Sequence, residues 1–101
     1  AIVERNYHSR WGEIDIIAEQ APYIVFAEVK TRRKNGRCSP EETVTIAKQQ
    51  KIIRTALWYL SEHLVYGDFQ VRFDVISLRP GKNDQVESIQ HFPDAFEGEL
   101  L

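Results

Sequence analysis

This 101-residue chain has no methionine, a single cysteine and no apolar run that approaches the length of a membrane span. The lone thiol, Cys38, excludes an internal disulfide and a zinc site of the usual four-ligand kind. A reducing, cytoplasmic setting is therefore expected. The three histidines (His8, His63 and His91) are scattered and give Cys38 no evident catalytic partner. A spanning helix needs roughly 18 consecutive apolar residues, and neither such a run nor a secretory h-region is present, so no membrane partner is expected. The chain begins at Ala1 without a methionine, and a preceding segment is expected. Glycine and proline form no linker tract, no repeat is visible, and the length fits one domain over residues 1–101.

What is present is an ordinary globular composition, 43% apolar and 28% charged, which excludes a disordered or fibrous class. The net charge of −2 hides an asymmetry. Lys30, Arg32, Arg33, Lys34, Arg37, Lys48, Lys51 and Arg54 are eight cations against two carboxylates between residues 30 and 54, whereas the rest of the chain holds five cations and thirteen carboxylates. A local positive patch on an acidic protein fits phosphate, with a solvated loop and helix face as the plainer reading.

Strands are expected over residues 2–10, 12–18 and 23–31, the last opening with five apolar residues, Tyr23 to Ala27. Glu19 to Pro22 reads as a turn, and Asn35-Gly36 marks a loop. A helix follows, starting at Ser39-Pro40-Glu41-Glu42, which has capping-box form, or later at Thr45. Ile46, Ile53, Ala56, Leu57, Leu60 and Leu64 form its expected apolar face, and Gly67 is its expected stop. Strands over 71–78 and 86–92 complete a β-β-β-α-β-β order, an α/β fold with a mixed sheet and one long helix packed on it.

A hairpin closed around residues 20–23 sets Asp15 opposite Glu28 and Glu13 opposite Lys30. Side chains alternate along a strand, so all four share one face, and Ile14, Ile16, Ala27 and Val29 the other. A two-residue slip keeps this grouping and a one-residue slip destroys it. Opposed carboxylates repel and need a compensating cation, for which a hard divalent ion such as Mg²⁺ is the natural choice. Such an ion polarises a phosphate and activates a bound water, and the ammonium of Lys30 is placed to stabilise developing charge. The parts for phosphodiester hydrolysis are present, with Asp15, Glu28 and Lys30 as the catalytic set and Asp15 and Glu28 as metal ligands. Glu13 supports them or forms a cross-strand pair with Lys30.

Asp15 followed by Glu28-Val29-Lys30 resembles the D…(D/E)-x-K signature of the PD-(D/E)XK nuclease superfamily. The segments Glu4-Arg5-Asn6-Tyr7, Gly12 to Ile17, Phe26 to Arg32, Val44 to Lys48 and Arg72-Phe73-Asp74-Val75 resemble the YraN family of predicted endonucleases, itself similar to archaeal Holliday-junction resolvases. The resemblance covers nearly the whole chain. It implies a restriction-endonuclease-like fold, cleavage of DNA (branched DNA included) with Mg²⁺ or Mn²⁺, and a homodimer. It also implies an acidic residue on a helix ahead of the first strand, for which either Glu13 is a partial substitute or a residue of a preceding segment serves. A nucleic-acid-binding module that keeps the fold without cutting is the alternative.

Arg32, Arg33, Lys34 and Arg37 leave the end of the catalytic strand and are expected to contact DNA. Lys48 and Lys51, with Arg54, fall on one helix face as further contacts. Tyr59, Tyr66 and Trp58 read as packing residues, and Trp11 beside Gly12 as a candidate base contact. Asp74 is expected to pair with Arg72 or a neighbour, and His91 to be structural.

Overall fold

A computed structural model describes residues 1–31 and 44–97. The alternating and apolar stretches form strands β1 (Ile2–Ser9), β2 (Gly12–Gln20) and β3 (Tyr23–Thr31), followed by helix α1 (Ile46–Glu62), strand β4 (Gln70–Pro80) and strand β5 (Val86–Phe96). One five-stranded sheet runs β1-β2-β3-β4-β5; only the β3–β4 pair, on either side of α1, is parallel. The expected α/β order is the observed one.

β3 lies at the centre because five consecutive residues, Ile24 to Glu28, are buried. Such a run suits a strand covered on both faces. Its register with β2 is the expected one, Gln20 facing Tyr23 and Ile16 facing Ala27. Beyond Ile16 the ladder stops. On the other side of β2, Tyr7 pairs with Ile14 and Arg5 with Ile16, with Asn6 at a positive φ of 52° between them. Asp15 therefore has no ladder partner on either side. Ile14 departs from simple alternation. It is buried in the same core as Ile17 and Phe26, and its partner Tyr7 packs edge-on against Tyr59 of α1 at 5.2 Å.

α1 begins at the later of the two expected starts: Thr45 is its N-cap, its hydroxyl accepting the Lys48 N–H at 3.2 Å. The Ser39 to Glu42 segment lies outside the described residues. The buried face keeps Ile53 and Ala56 of the expected one, with Leu60 partly buried beside them, but is rotated towards Thr55 and Tyr59. Ile52, Ile53, Thr55, Ala56 and Tyr59 face the sheet, whereas Ile46 and Leu57 are exposed and Leu64 lies beyond the helix end. The cause is Tyr59. Its ring packs on Phe26 and Tyr7 and takes the axis of contact, since an aromatic ring brings more apolar area than an aliphatic side chain. Nor does Gly67 end the helix. His63 is the C-cap, and Gly67 instead closes a 3₁₀ turn over Leu64–Tyr66.

β5 is an edge strand, largely exposed and longer than expected, with Pro93 inside it. Proline is tolerated there because an edge leaves one side of the ladder unpaired. Among the described residues no helix is long and apolar enough to cross a membrane.

Candidate active site

Asp15 and Glu28 reach a cleft between the sheet and the N-terminal half of α1. Its volume is about 430 Å³, and Gly12, Glu13, Asp15 and Glu28 line it from the strands, with Thr45, Ala47, Lys48, Lys51 and Ile52 from the helix side. Where the β2–β3 ladder ends, the carboxylate of Asp15 takes over one backbone partner: its Oδ2 accepts the Val29 N–H at 2.8 Å. That bond fixes the side chain and satisfies an amide which the parting strands would otherwise leave bare.

Glu28 is the buried member of the group, with its side chain 7% exposed. Its Oε1 lies 2.7 Å from the Lys48 ammonium and 3.5 Å from that of Lys30. The hydrogen bond to Glu28 raises the Lys48 pKa against the opposing effect of burial. The cation expected to offset the two carboxylates is thus partly supplied by the chain itself. Helix capping explains the placement: Thr45 starts α1 so that Lys48 stands in its first turn, over the cleft.

Glu13 lies at the rim, exposed, and its side-chain neighbour is His8 on β1, whose Nδ1 stands 3.3 Å from its carboxylate, rather than Lys30. Lys51 lines the cleft one helical turn from Lys48. Gly12 lets the β1–β2 turn close onto the helix: at φ 149°, a β-carbon there would stand 3.2 Å from Thr55 Oγ1. Arg32, Arg33, Lys34 and Arg37 lie outside the described residues, as does Cys38. Lys48 was legible as a cation on the patch side of the helix, but its contact with Glu28 was not. The signal was Thr45 as a cap, which puts a first-turn lysine close to β3.

Comparison with known proteins bears on the whole of this region. The family model of "Uncharacterised protein family UPF0102" matches residues 1–78. The chain belongs to the UPF0102 family. A UPF0102 protein of Syntrophotalea carbinolica is 44% identical over 96 residues, 95% of this chain and 76% of its own length. One from Rhodococcus opacus is 43% identical over 95 residues, 94% of this chain and 79% of its own length. One from Desulforapulum autotrophicum is 49% identical over 82 residues, covering 81% and 67%. The YraN-type resemblance thus holds at family level. The UPF0102 match takes in every residue lining the cleft, and β5 lies beyond it.

Among the described residues no cluster of three or more His, Cys, Asp or Glu side chains could hold an ion. A closed zinc site is therefore not formed by them. Two carboxylates on an open cleft fit Mg²⁺ or Mn²⁺, which take oxygen ligands and leave further positions to water and phosphate.

The opposite face of the sheet holds a different acidic centre. Asp74, on β4 beside Ala27, is 1% exposed. Arg72 grips it with Nε and Nη2, both at 2.9 Å; His91 Nε2 lies at 2.7 Å, and the Asp94 N–H donates at 3.0 Å. Burial pushes its carboxyl up, but these partners outweigh burial and hold it below the usual 3.8. His91 and Asp74 are thus a structural pair, away from the cleft.

Proposed function

We infer that this chain is a metal-dependent DNA endonuclease of the PD-(D/E)XK type, hydrolysing phosphodiester bonds in DNA, branched DNA included. The observation that carries the reading is the cleft in which Asp15 and Glu28 meet Lys48 and Lys51. A surface built only to bind an anionic backbone gains nothing from two carboxylates directed at it, which argues against the non-cutting module.

Asp15 and Glu28 would hold Mg²⁺ or Mn²⁺ through their carboxylate oxygens. When bound, the ion supplies polarisation of the scissile phosphate and a water acidified enough to attack near neutral pH. The chain's own groups do the rest. The Val29 N–H holds Asp15 in one orientation. Lys30, 24% exposed and 3.5 Å from Glu28, would stabilise charge on the phosphoryl oxygens as the water adds. Lys48 and Lys51 on α1, with Arg32, Arg33, Lys34 and Arg37 after β3, would track the phosphate backbone. A homodimer belongs to the reading through the resolvase resemblance.

The test is cleavage of linear, flapped and four-way-junction DNA in Mg²⁺ or Mn²⁺, with Asp15→Asn as control. Cutting by the wild type and none by the variant is expected. No cutting of any substrate in either metal would overturn the enzymatic reading.

A further inference from the structure

Beside the cleft, one helical turn further along α1, lies a second depression of different chemistry. Trp11, Arg54, Leu57, Trp58 and Ser61 line a shallow groove of about 660 Å³ that is almost wholly apolar in surface. Trp11, Leu57 and Trp58 are 38%, 44% and 43% exposed, an unusual concentration of large apolar side chains in water. The groove is not acidic anywhere in its lining, and cations frame it. Arg54 is part of the wall, and Arg10 stacks over the Trp11 ring at 4.7 Å.

The groove and the cleft are joined through the β1–β2 turn. Gly12 lines the cleft and packs against Lys51 and Thr55, so Trp11 is held where the helix presents Arg54 and Trp58. From Lys51 in the cleft to Trp58 in the groove is seven residues, roughly 10 Å at the rise of an α-helix. Successive nucleotides of one DNA strand advance by about 3.4 Å along a duplex, so the groove lies only a few nucleotides from the cleft.

We propose that this groove receives an unpaired nucleobase of the DNA strand whose phosphate occupies the cleft. The inference rests on the nuclease reading and adds its substrate class: DNA with unpaired nucleotides beside the cut, as at a flap or branch point. Indole faces flanked by guanidinium groups are the chemistry that single-stranded nucleic acid uses, the rings stacking on bases and the cations holding the phosphates. A duplex keeps its bases stacked inside and offers this groove nothing. A second copy of the chain is the other occupant to weigh. A two-fold contact through the groove would bring the Arg54 and Arg10 of both copies into one interface, and like charges oppose that closure.

The chain's two tryptophans are Trp11 and Trp58, so its indole emission reports this groove alone. The experiment titrates the full chain in EDTA with a short oligothymidylate and with a duplex of equal length, following that emission and binding separately. Oligothymidylate should quench the emission and the duplex should leave it nearly unchanged. Trp58→Ala should bind oligothymidylate about 5- to 150-fold more weakly, the range for losing one base stack, with duplex affinity kept. Trp58→Phe should restore most of the binding, and circular dichroism verifies that both variants fold. The inference is overturned if oligothymidylate binds without quenching, or if Trp58→Ala weakens both DNAs equally. A wild-type dimer that Trp58→Ala splits in sedimentation overturns it too, and assigns the groove to self-association. Because EDTA prevents cleavage, quenching without later cutting in Mg²⁺ would sink the catalytic reading and leave the groove standing.

Discussion

Glu28 and Asp74 sit one step apart on adjoining strands, β3 and β4, yet on opposite faces of the sheet. Both carboxylates are buried and both are paired with cations. Asp74 is closed: a two-pronged guanidinium, an imidazole and a backbone N–H converge on its two oxygens. Glu28 is open, because its partners are two ammonium groups on flexible stems, and one of them, Lys48, lines the cleft together with Glu28 itself. A fixed guanidinium fork locks a carboxylate in place, whereas lysines on four-carbon stems can move to another anion. The contrast separates a charge that holds the fold from a charge that is free to do chemistry.

The largest effect expected from breaking this contrast is on stability. Asp74→Ala removes the anion and leaves Arg72 and the Asp94 N–H facing a gap, which should cost about 3–5 kcal/mol, the range for a broken buried pair. Urea melts of the variant measure this; a loss under about 1 kcal/mol would show the centre to be dispensable. The same carboxylate sets an acid limit. Its folded pKa is below its unfolded value, so its contribution is complete above about 3.8 and is lost as pH falls through the folded pKa. Stability measured against pH should therefore drop more steeply below 3.8 in the wild type than in Asp74→Asn.

The next effect is on activity. Glu28→Ala and Lys30→Ala should each reduce metal-dependent cleavage by about 100-fold or more, equivalent to roughly 3 kcal/mol, while the fold survives. The two faces would then respond in opposite ways, one losing structure and the other losing rate. Full activity in either purified variant would remove that residue from the mechanism. If Glu28→Ala instead unfolded the chain as Asp74→Ala is expected to, the division between the two centres would be wrong.

The strand pattern was legible because its period is short and its turn chemistry is local. Pro22 and the apolar run of β3 were enough to set the register in which Ile16 faces Ala27. The helix face was legible at Ile53 and Ala56 but not at Ile46 and Leu57, because Tyr59 packs on rings from two strands that no local pattern reveals. For the site, the sequence brought Asp15 and Glu28 together but treated them as a regular opposed pair. It is the departure from regularity that matters: β2 leaves the ladder at Asp15, and the carboxylate bonds the Val29 N–H. The contact of Lys48 with Glu28 was out of reach because a helix cap decides which lysine stands over which strand.

That lysine provides the smallest and most discriminating prediction. Lys48 holds Glu28 at 2.7 Å and offsets a carboxylate that would otherwise lie buried near a second one. Because the Lys48 side chain is 45% exposed, water screens the pair and its worth is small. Lys48→Ala should destabilise the metal-free protein by about 1 kcal/mol, as expected for one partly exposed ion pair. Adding Mg²⁺ or Mn²⁺ should narrow that deficit. An ion that binds Glu28 competes with the Lys48 ammonium for the same oxygen, so removing the ammonium should tighten metal binding. At one fixed metal concentration, the shift in melting midpoint should be larger for Lys48→Ala than for the wild type, by mass action. Denaturant melts in EDTA and in metal make the comparison, with Asp15→Asn as a variant short of one proposed ligand and expected to respond least. Equal shifts in all three proteins would mean that metal binds elsewhere, and Lys48 would then be a fixed partner of Glu28 in the manner of Arg72 with Asp74.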